Sequence, residues 1–519
     1  MPPGAAGEAG ESLRLAEILL GLSRVADLGM GLEPGEAART SILAARLAEE
    51  LAAPDPGAVY YASLLQHLGC TAYAHEAAAR LGGDEIAVKA ASLRTDFTSP
   101  RSIVTAYLPN LAPKAGAFTR LRAAGTAVAR ARSITDGYMR ANCEVAAMIA
   151  RRIGLGEAVA QALGAMFEQP DGRGGPAGLS GDDVPLAVRI THVAAVASLF
   201  DGLGGAEAAT AVVAERAGAA LDADVAAAFC ARAPELIGEL EAADPLSAAR
   251  AAEPPPVRTV RGAGIDEVCA AFGAAVDLKS PWFHGHAAGT AALAEAAARR
   301  LGLPDADAVA VRRAGLLHDI GRAAIPNGIW EKPSALTEED WERVRLHAYY
   351  GERVLDRCGR LAPLAPIVGM HHERLDGSGY HRQARGPAIP MPARILAAAD
   401  ALHAMTQARP HRQARSADEG AALLVADRDA GRLDGDAVRA VVAAAGSPPP
   451  RPTYPAGLTG RQAEVLRLVA AGLSNPEIAA RLVVSRRTAE RHVQDVYAKI
   501  GVSTRAGAAL FAMEHGLVL

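Results

Sequence analysis

Apolar positions in the C-terminal segment recur with helical spacing. From Ser485 onward, one face of a predicted helix carries the apolar residues Ala489, Val493, Val496 and Ile500. The opposite face is expected to be polar and exposed, and it carries Arg487, Arg491, Gln494 and Ala498. Capping boxes at Thr459-x-x-Gln462 and Ser474-x-x-Glu477 predict the starts of two earlier helices, and Ser485 can cap the last one. This pattern follows the helix-turn-helix plan, in which the last helix enters the major groove of DNA.

Two proline-rich stretches interrupt the helical patterning of the rest of the chain. They lie at 253–256 and 447–452, where consecutive prolines favour an extended spacer over a helix. The chain is therefore predicted to contain three domains, at 11–250, 258–446 and 455–519. Because Ala and Leu are abundant while aromatic residues make up only 4% of the chain, we expect an all-α fold with helix packed on helix.

The first two predicted domains share an internal repeat. Three pairs of segments match in order, namely 40–48 with 290–298, 64–69 with 316–321, and 168–190 with 373–395. A repeat of this length indicates two copies of one structural unit. We therefore expect tandem helical bundles followed by the small helix-turn-helix domain.

The second copy concentrates histidine and aspartate residues that could bind metal. They are His286, His318, Asp319, His347, His371, His372 and Asp400. A single histidine is more often a surface or core residue than a ligand, but polar pairs inside apolar helical stretches need a partner, which a metal ion would supply. Imidazole and carboxylate groups together suit Fe, Mn or Zn. Since seven groups exceed the needs of one ion, two divalent ions are predicted, an arrangement that activates water and promotes phosphoryl displacement.

The motifs around these residues resemble the HD-GYP branch of the HD phosphohydrolase superfamily. The matching blocks cover about 265–425 and include Leu317-His-Asp-Ile-Gly321, His371-His-Glu-Arg374, Asp376-Gly-Ser-Gly-Tyr380, Arg394-Ile395 and Ala399-Asp400. The resemblance implies an all-helical bundle with a metal site that hydrolyses cyclic di-GMP to pGpG or GMP. It also implies that all seven residues are metal ligands and that Asp319 bridges the ions.

The same resemblance implies roles in catalysis and in substrate binding. Asp319 and Arg322 are the predicted catalytic residues, with Arg322 stabilising a phosphoryl oxygen during metal-assisted hydrolysis. The predicted substrate-binding residues are Arg322, Gly379, Tyr380, Arg409 and Arg412, although the last two are explained equally well as solvated arginines. Four residues depart from the family pattern: Arg322 replaces a lysine, His381 a proline, His403 an aspartate, and Trp282 the glutamate ligand of some trinuclear members. The absence of that glutamate favours two metal ions over three.

The first copy has lost the ligand pattern. Its corresponding positions are Glu36, Gln66, His67, about Asn142, Met166, Phe167 and Ala195. Because no ligand pair survives, the first domain is predicted to be a degenerate, non-catalytic HD-GYP-like bundle used for packing, sensing or dimerisation. Its Gly-rich segment 169–181, which composition alone would make a linker, then corresponds to the GYP loop.

The C-terminal segment 455–519 closely resembles the LuxR-type DNA-binding domain. The resemblance rests on Leu458-Thr-Gly-Arg-Gln-Ala-Glu-Val-Leu466, Gly472-Leu-Ser-Asn475, Glu477-Ile-Ala479 and Tyr497-Ala-Lys-Ile-Gly-Val502. It implies a four-helix unit that binds double-stranded DNA as a dimer. The implied base contacts are Arg487, Arg491 and Gln494, and the implied phosphate contacts are Thr488, His492 and Lys499.

The distribution of charge agrees with a DNA partner for this segment. Eight Lys and Arg residues against five Asp and Glu residues give 455–519 a net charge of +3, whereas the rest of the chain, with 46 against 53, carries −7. The formal charge of the whole chain is only −4, so a polyanionic partner would have to be met locally.

Composition and the N-terminal residues bear on the cellular setting. The 519 residues are 50% hydrophobic and 22% charged, which is typical of globular proteins. Five dispersed cysteines without CxxC spacing indicate free thiols in a reducing compartment, and residues 1–12 lack the features of a signal peptide. A cytoplasmic location without membrane contact is therefore expected.

These features together predict a homodimeric cytosolic regulator that couples a metal-dependent cyclic-dinucleotide phosphodiesterase to a DNA-binding transcriptional output. One alternative is a LuxR-type transcription factor whose HD-GYP unit senses nucleotide or metal without turnover, and the departures at Arg322, His381 and His403 are its best support. A second alternative makes the helix-turn-helix a module for dimerisation or protein docking.

Overall fold

The computed structural model describes residues 12–81, 83–95, 100–111, 116, 125, 131–241, 244–446 and 454–518. Within these residues the regular secondary structure is almost entirely helical. A short antiparallel pair of strands, Leu13–Arg14 and Thr259–Val260, is the sheet found in this part of the chain. The predicted all-α fold is thus confirmed. The predicted spacer at 447–452 lies outside the described residues, as do the outermost positions of the first and third predicted domains, 11 and 519.

The contacts divide the chain into two compact units that interleave along the sequence. One comprises the described parts of 12–70, 132–271 and 357–360, and the other those of 71–131, 272–356 and 361–518. This division groups the segment after Cys70 with the second copy and leaves the C-terminal helices in that same unit. The predicted boundaries at 11–250, 258–446 and 455–519 stay a prediction.

The first unit is built mainly from the helices of the first copy. Their bounds are Leu15–Gly29, Glu36–Glu50, Pro56–Leu64, Ala131–Arg152, Glu157–Gly164, Leu186–Arg216, Ala223–Glu241 and Pro245–Ala251. Glu253 ties its N-terminal strand to these helices, because its carboxylate accepts hydrogen bonds from Arg14 Nη2 at 2.7 Å and from Tyr61 Oη at 2.6 Å. Helix Ala263–Asp277 then runs on from this unit into the second.

The second unit contains the helices that carry the predicted metal ligands. After Ala74–Leu81 and Glu85–Arg94, its main helices are His286–Arg300, Asp305–Leu317, Glu338–Leu355, Ala365–Gly369, Met391–Thr406, Ala417–Asp429 and Gly435–Ala445. Shorter helical turns at Pro100–Ser102, Ile103–Tyr107, Leu108–Asn110, Pro281–Phe283, Ile320–Ala324, Asn327–Trp330, Gly359–Leu364 and Gly386–Ala388 connect them.

Four helices close the second unit at its C-terminal end. They are Gly460–Ala470, Asn475–Leu482, Arg486–Ile500 and Arg505–Glu514. The capping boxes predicted at Thr459 and Ser474 are both present, and the Ser485 hydroxyl accepts a hydrogen bond from Thr488 N at 3.1 Å. The predicted helix starts are therefore confirmed: the hydroxyls of Thr459 and Ser485 accept from backbone N–H groups of the first helical turn, and Glu477 accepts from Ser474 N at 2.8 Å.

Equivalent arginines show that the two copies share local structure. In the first copy Arg189 donates to the carbonyl of Val184 and pairs with Asp222 at 2.9 Å. In the second copy Arg394 donates to the carbonyl of Ile389 and pairs with Asp434 at 3.0 Å. Both aspartates also cap the helix that follows them. Contacts reproduced at aligned positions agree with the predicted internal repeat, which stays a prediction.

A buried glutamate organises the corresponding loop in each copy. Glu373 accepts hydrogen bonds from the backbone N–H groups of Arg382 and Ala384, at 2.6 and 3.0 Å. Glu168, at the aligned position, accepts them from Ala177 and Leu179, at 2.5 and 2.8 Å. The structure therefore supports reading the Gly-rich segment 169–181 as a counterpart of the GYP loop and not as a linker.

Close packing of two helices brings the first ligands together. Gly315 of helix Asp305–Leu317 faces Ala291 of helix His286–Arg300, and a Cβ atom on Gly315 would lie 2.6 Å from Ala291 Cα. Any larger residue at 315 would push the helices apart. With glycine there, the imidazole rings of His286 and His318 lie 5.2 Å apart between their centroids.

One helix, Leu186–Arg216, is long and apolar enough to cross a membrane on length and composition alone. Its backbone leaves helical geometry at Gly204 and Gly205. Its apolar residues Val188, Ile190 and Val193 are fully buried, as in the core helix of a globular protein. The expectation that the chain does not contact a membrane stays a prediction.

Candidate metal centre

All seven predicted metal ligands meet in the second unit. They form two groups, Asp319, His347, His371 and His372 in one, and His286, His318 and Asp400 in the other. Within each group, one ligand atom per residue lies within 4.8 Å of all the others. Six of the seven side chains are buried, and His372 is partly buried. Two adjacent groups of nitrogen and oxygen donors have the composition of a two-metal site for borderline divalent ions.

Five separate elements supply these ligands. His286 is the first residue of its helix, and His318 follows the last residue of helix Asp305–Leu317. His347 lies within helix Glu338–Leu355 and Asp400 within helix Met391–Thr406, whereas the pair His371–His372 follows the short helix Ala365–Gly369. The apolar faces of these helices form the core, so their polar residues face one another across a small buried space.

Asp319 presents one carboxylate oxygen to each group. Its Oδ1 lies 3.4 Å from His347 Nε2 and 3.8 Å from His371 Nε2. Its Oδ2 lies 2.9 Å from His318 Nε2 and 3.4 Å from His286 Nε2. A carboxylate placed in this way can bridge two ions.

Backbone carbonyls orient three of the histidines. The Nδ1 atoms of His318, His347 and His371 lie 2.7, 2.5 and 2.5 Å from the carbonyl oxygens of the residues three positions earlier, Gly315, Val344 and Val368. A carbonyl can only accept, so each Nδ1 carries a proton and each Nε2 is the ring nitrogen directed at the centre. Such contacts behind a ligand fix the tautomer and the ring plane.

His286 is oriented by two residues whose contacts with it were not predicted from the sequence. Its Nδ1 lies 3.0 Å from Gln407 Oε1 and 3.1 Å from His403 Nδ1, while its Nε2 faces Asp400 Oδ1 at 3.1 Å. His403 was noted only as a departure from the family pattern. Gln407 belongs to no motif, and nothing in the sequence signals its contact.

Burial and nearby charge set the protonation of the ligands. Burial lowers the pKa of His347 to about 4 and that of His371 to about 3, so both imidazoles are neutral at pH 7. Burial also acts to lower the pKa of His318, but the carboxylates of Asp319 and Asp400 outweigh it and raise that pKa to about 10. Burial opposes ionisation of Asp319, yet Arg322 and His318 hold its pKa well below the usual range.

Buried polar atoms without partners test whether these residues fit metal ions. His318 Nε2 and both oxygens of Asp319 are buried and have no partner in hydrogen-bond geometry, although they approach one another. Leaving such atoms unsatisfied is costly, and coordination would satisfy all three. The residues present therefore fit a pair of divalent ions, for which the centre offers five imidazoles and two carboxylates.

Arg322 lies beside the centre and packs against two aromatic rings. Its Nη2 forms an ion pair with Asp319 Oδ2, with 2.7 Å between the two atoms, and its Cζ lies 4.4 Å from the ring centroid of Phe283 and 5.2 Å from that of Trp330. Arg409 contacts the same phenyl ring, with its Cζ at 5.2 Å, and donates to the carbonyl of Trp282. Both arginines are thus close to the predicted ligands.

The contacts of Arg412 do not by themselves indicate its predicted role in substrate binding. Its guanidinium donates to the carbonyls of Ala404, Met405 and Gln407, at 2.6, 3.0 and 3.2 Å. These contacts close the C-terminal end of helix Met391–Thr406, where carbonyls lack intrahelical partners. Arg412 is therefore not simply solvated, and its contact with substrate stays a prediction.

The loop after the paired histidines places Tyr380 on one of them. The Tyr380 ring stacks on His372, with 4.7 Å between the ring centroids. Gly379 allows this approach, because a Cβ atom there would lie 2.5 Å from three atoms of the backbone at 372–374. The predicted substrate residues Gly379 and Tyr380 thus border the metal centre.

A buried ion pair beside the centre was also missed. Lys279 Nζ donates to Glu85 Oε1 at 2.6 Å, and both side chains are almost fully buried. Glu85 also accepts from Asn327 N at 3.0 Å, and Lys279 Nζ reaches the carbonyl of Ala323 at 3.4 Å. The pair therefore connects the two helical turns that flank Ile325, and Arg322 lies in the first of them. Its two residues are 194 positions apart, so no local pattern could predict it.

The aligned positions of the first copy hold different chemistry. Met166 is buried, Glu36 takes the place of His286, and burial raises the pKa of Glu36. Asn142 donates to the carbonyl of Tyr138 at 2.7 Å. Among the described residues, neither group of three or more candidate ligands includes a residue of the first copy.

The predicted DNA-reading helix presents its polar face to solvent. Arg487, Arg491 and Gln494 are exposed, while Ala489, Val493, Val496 and Tyr497 are buried. Of the predicted phosphate contacts, Thr488 and His492 are half-buried and Lys499 is exposed, with its Nζ 3.0 Å from Gln462 Oε1. The arrangement is the one that helix-turn-helix proteins use for major-groove contacts.

Comparison with known families identifies both parts of this unit. Residues 272–437 match the HD domain family, and residues 456–512 match the luxR family of bacterial regulatory proteins. The chain therefore combines an HD domain with a LuxR-family domain. The predicted resemblances are confirmed at both places.

Curated relatives show which HD proteins are similar. The "3'3'-cGAMP-specific phosphodiesterase 3" of Vibrio cholerae serotype O1 is 29% identical over 417 residues, which are 79% of this chain and 90% of that protein. The "Cyclic di-GMP phosphodiesterase response regulator RpfG" of Xanthomonas campestris pv. campestris is 38% identical over 138 residues, 26% of this chain and 36% of that protein. The match to the second relative is thus confined to about a third of its length. Both names describe cyclic-dinucleotide phosphodiesterases, the class predicted for the HD domain.

A solved structure extends the similarity to most of the chain. The crystal structure of a cyclic GMP-AMP-specific phosphodiesterase of V. cholerae, V-cGAP3, superposes with a TM-score of 0.58 at 25% identity. The match covers 85% of this chain and 99% of that one, which exceeds the HD domain alone. The similarity to this solved structure therefore extends beyond the HD domain to other parts of the chain.

Proposed function

We propose that the chain is a metal-dependent phosphodiesterase of cyclic dinucleotides that is joined to a DNA-binding output. The observation that carries the enzymatic part is the meeting of all seven predicted ligands in two adjacent buried groups, with Asp319 facing both. The names of the relatives support the substrate class, and 3'3'-cGAMP and cyclic di-GMP are the first candidates.

The proposed cofactor is a pair of divalent ions such as Fe or Mn. His347, His371 and His372 would hold one ion, His286, His318 and Asp400 the other, and Asp319 both. When bound, the ions would activate water and neutralise negative charge on the phosphoryl group.

The chain's own residues would bind and orient the substrate at this centre. Arg322 would donate to a phosphoryl oxygen, since two of its nitrogens are buried without partners. Arg409, Gly379 and Tyr380 border the same space and would position the nucleotide. Burial of the site excludes bulk water and strengthens these charged contacts.

Product analysis tests the enzymatic part of the proposal. Protein reconstituted with Mn²⁺ or Fe²⁺ is incubated with cyclic di-GMP and with 3'3'-cGAMP, and the products are separated by chromatography. We expect linear products from at least one substrate, and loss of both bound metal and turnover in a His318→Ala/Asp319→Ala variant. The control is His515→Ala, which changes an exposed histidine far along the chain from the ligands. Hydrolysis retained by the double variant would overturn the assignment.

A second candidate function is sensing without turnover. Three departures from the family pattern favour it, because Arg322, His381 and His403 stand where catalytic relatives of the HD-GYP type carry other residues. His403 contacts the ligand His286 directly. Metal and nucleotide binding without any product in the same experiment would favour the sensor over the enzyme.

The LuxR-family domain supplies the proposed output. Its exposed arginines and its net charge of +3 suit contact with double-stranded DNA, bound by a homodimer. In a gel-shift assay with DNA from upstream of the gene, Arg487→Ala and Arg491→Ala should each weaken binding by about 1–3 kcal/mol if they read bases. The control is Arg439→Ala, an exposed arginine outside this domain. Unchanged binding in both variants would instead favour a role in dimerisation or protein docking.

The cellular setting completes the proposal. The proposed location is the cytoplasm, without membrane contact; the cysteine pattern and the burial of Val188, Ile190 and Val193 in helix Leu186–Arg216 support it. Fractionation of cells that produce the full chain tests it, with recovery in the membrane fraction as the contrary result.

A further inference from the structure

Three buried N–H groups beside the metal centre have no acceptor. They are Arg322 Nε, Arg322 Nη1 and Trp330 Nε1. Arg322 is 7% exposed, and its Nη2 forms an ion pair with Asp319 Oδ2 at 2.7 Å. Buried donors in folded proteins are nearly always satisfied, by protein, water or ligand. The unsatisfied donors therefore indicate a place where acceptor atoms of a ligand bind.

Two aromatic rings hold the arginine in this cluster. The rings of Phe283 and Trp330 meet edge to face, at 5.6 Å between centroids and an interplanar angle of 87°. Both lie within cation–π distance of the Arg322 guanidinium. The rings restrict the guanidinium plane, and its Nε and Nη1 have no hydrogen-bond acceptor. We call Phe283, Trp330 and Arg322 the arginine slot.

Positive charge also accumulates at the slot. Arg409 contacts the face of Phe283, so one phenyl ring serves two guanidinium groups. Burial and the nearby charge of Arg322 lower the pKa of Arg409 to about 10. Two buried cations at one ring are expected to attract an anion with several acceptor oxygens, which is the chemistry of a phosphodiester.

The slot touches the metal centre through Trp330. The Trp330 ring meets the His347 imidazole edge to face, at 5.8 Å between centroids. An anion bound at the slot would therefore lie next to the predicted ions. This places the slot on the reacting phosphate and not on a distant part of the nucleotide.

We propose that Phe283 is a positioning residue that holds Arg322 for a substrate phosphate, and that the Trp330 indole N–H is a further donor to the same phosphate. The proposal rests on the proposed cyclic-dinucleotide function for its substrate. Neither residue belongs to a motif block of the sequence. Residues of both types are scarce, since the chain has only 8 Phe and 3 Trp.

Equilibrium binding to the full chain prepared without metal tests both roles apart from turnover. Cyclic di-GMP, 3'3'-cGAMP and inorganic phosphate are titrated by calorimetry. Trp330→Phe keeps a ring beside Arg322 but removes the N–H, so we expect affinity to fall about tenfold, as for loss of one hydrogen bond to a charged group. Phe283→Leu should lower affinity only while Arg322 is present, and should have no further effect in an Arg322→Ala background.

Two matched variants separate these effects from loss of stability. Trp341→Phe changes an exposed tryptophan and Phe272→Leu a buried phenylalanine away from the slot. We expect both to bind like the unmodified protein, whatever their melting temperatures. In metal-loaded protein, Trp330→Phe should raise KM and leave kcat nearly unchanged, because its donor contacts the phosphate in the ground state and in the transition state alike.

The outcomes distinguish this proposal from the proposed function. Affinity unchanged by Trp330→Phe and Phe283→Leu, or an effect of Phe283→Leu that persists without Arg322, would overturn the slot while leaving the phosphodiesterase intact. Slot-dependent binding of inorganic phosphate, with no binding of either dinucleotide, would keep the slot and refute the proposed substrate. Absence of binding by all three probes would overturn the slot, while product analysis of the metal-loaded protein would still decide the phosphodiesterase.

Discussion

The buried pair of Lys279 and Glu85 offers a sharp test of how the second unit is held together. The side chains are 1% and 0% exposed, and the charged atoms are 2.6 Å apart. We expect Glu85→Gln, which preserves shape and removes one charge, to destabilise this unit strongly. The reason is that the Lys279 ammonium would remain buried without a counter-charge.

The geometry sets the size of the effect. At an effective dielectric constant of about 20, two unit charges at the 2.6 Å separation attract by about 6 kcal/mol. Relaxation around the remaining charge recovers part of this, and removal of one partner of a buried pair costs about 3–5 kcal/mol. By contrast, Glu464→Gln breaks a pair whose side chains are 43% and 49% exposed, and should cost less than about 1 kcal/mol.

Denaturant unfolding of the full chain, followed by a probe in the second unit, measures both variants. The double variant Glu85→Gln/Lys279→Met should recover most of the lost stability, because no isolated charge remains. A loss in Glu85→Gln no larger than in Glu464→Gln would refute the reasoning. So would a double variant as unstable as Glu85→Gln alone, since the cost would then not come from the unpaired ammonium.

Three further changes have expected outcomes. Gly379→Ala should lower the free energy of unfolding by about 1–3 kcal/mol and reduce the metal content measured by mass spectrometry, because its Cβ would lie 2.5 Å from backbone atoms. Gly446→Ala, whose Cβ would have its nearest contact at 3.9 Å, should have neither effect. Burial raises the pKa of Asp27 to about 7. As the pH rises from about 4 to 7, the free energy of unfolding of the unmodified protein should therefore fall by up to about 4 kcal/mol relative to that of Asp27→Asn. Parallel pH profiles of this free energy in the two proteins would contradict the prediction. Glu168→Ala should leave three loop N–H groups without an acceptor and lower the melting temperature of the first unit, and an unchanged value would show that the loop does not depend on it.

The metal centre could be predicted from the sequence because its histidine and aspartate residues occur in a recognisable order and spacing. The pairs His318–Asp319 and His371–His372 interrupt apolar helical stretches, so their partners had to be found inside the fold. The helix starts of the C-terminal segment were predictable for a similar reason. A capping box is a local interaction over four residues, and the structure contains each predicted one.

Contacts between distant residues account for what the sequence did not reveal. Gln407 orients His286 across 121 positions, and no periodicity or motif connects them. Arg412 matched a position assigned to substrate, but its contacts with three carbonyls depend on where helix Met391–Thr406 ends. The grouping of 71–131 with the second copy likewise depends on tertiary contacts such as that between Glu85 and Lys279.

Anomalous scattering at a metal absorption edge tests most directly that the second copy has kept a two-metal centre and the first has not. Crystals of the full chain grown with Mn²⁺ or Fe²⁺ should show two peaks, one among Asp319, His347, His371 and His372 and one among His286, His318 and Asp400. No peak should lie near Glu36 or Met166 in the first copy. A single peak, no peak, or a peak within the first copy would contradict the proposed division of roles between the two copies.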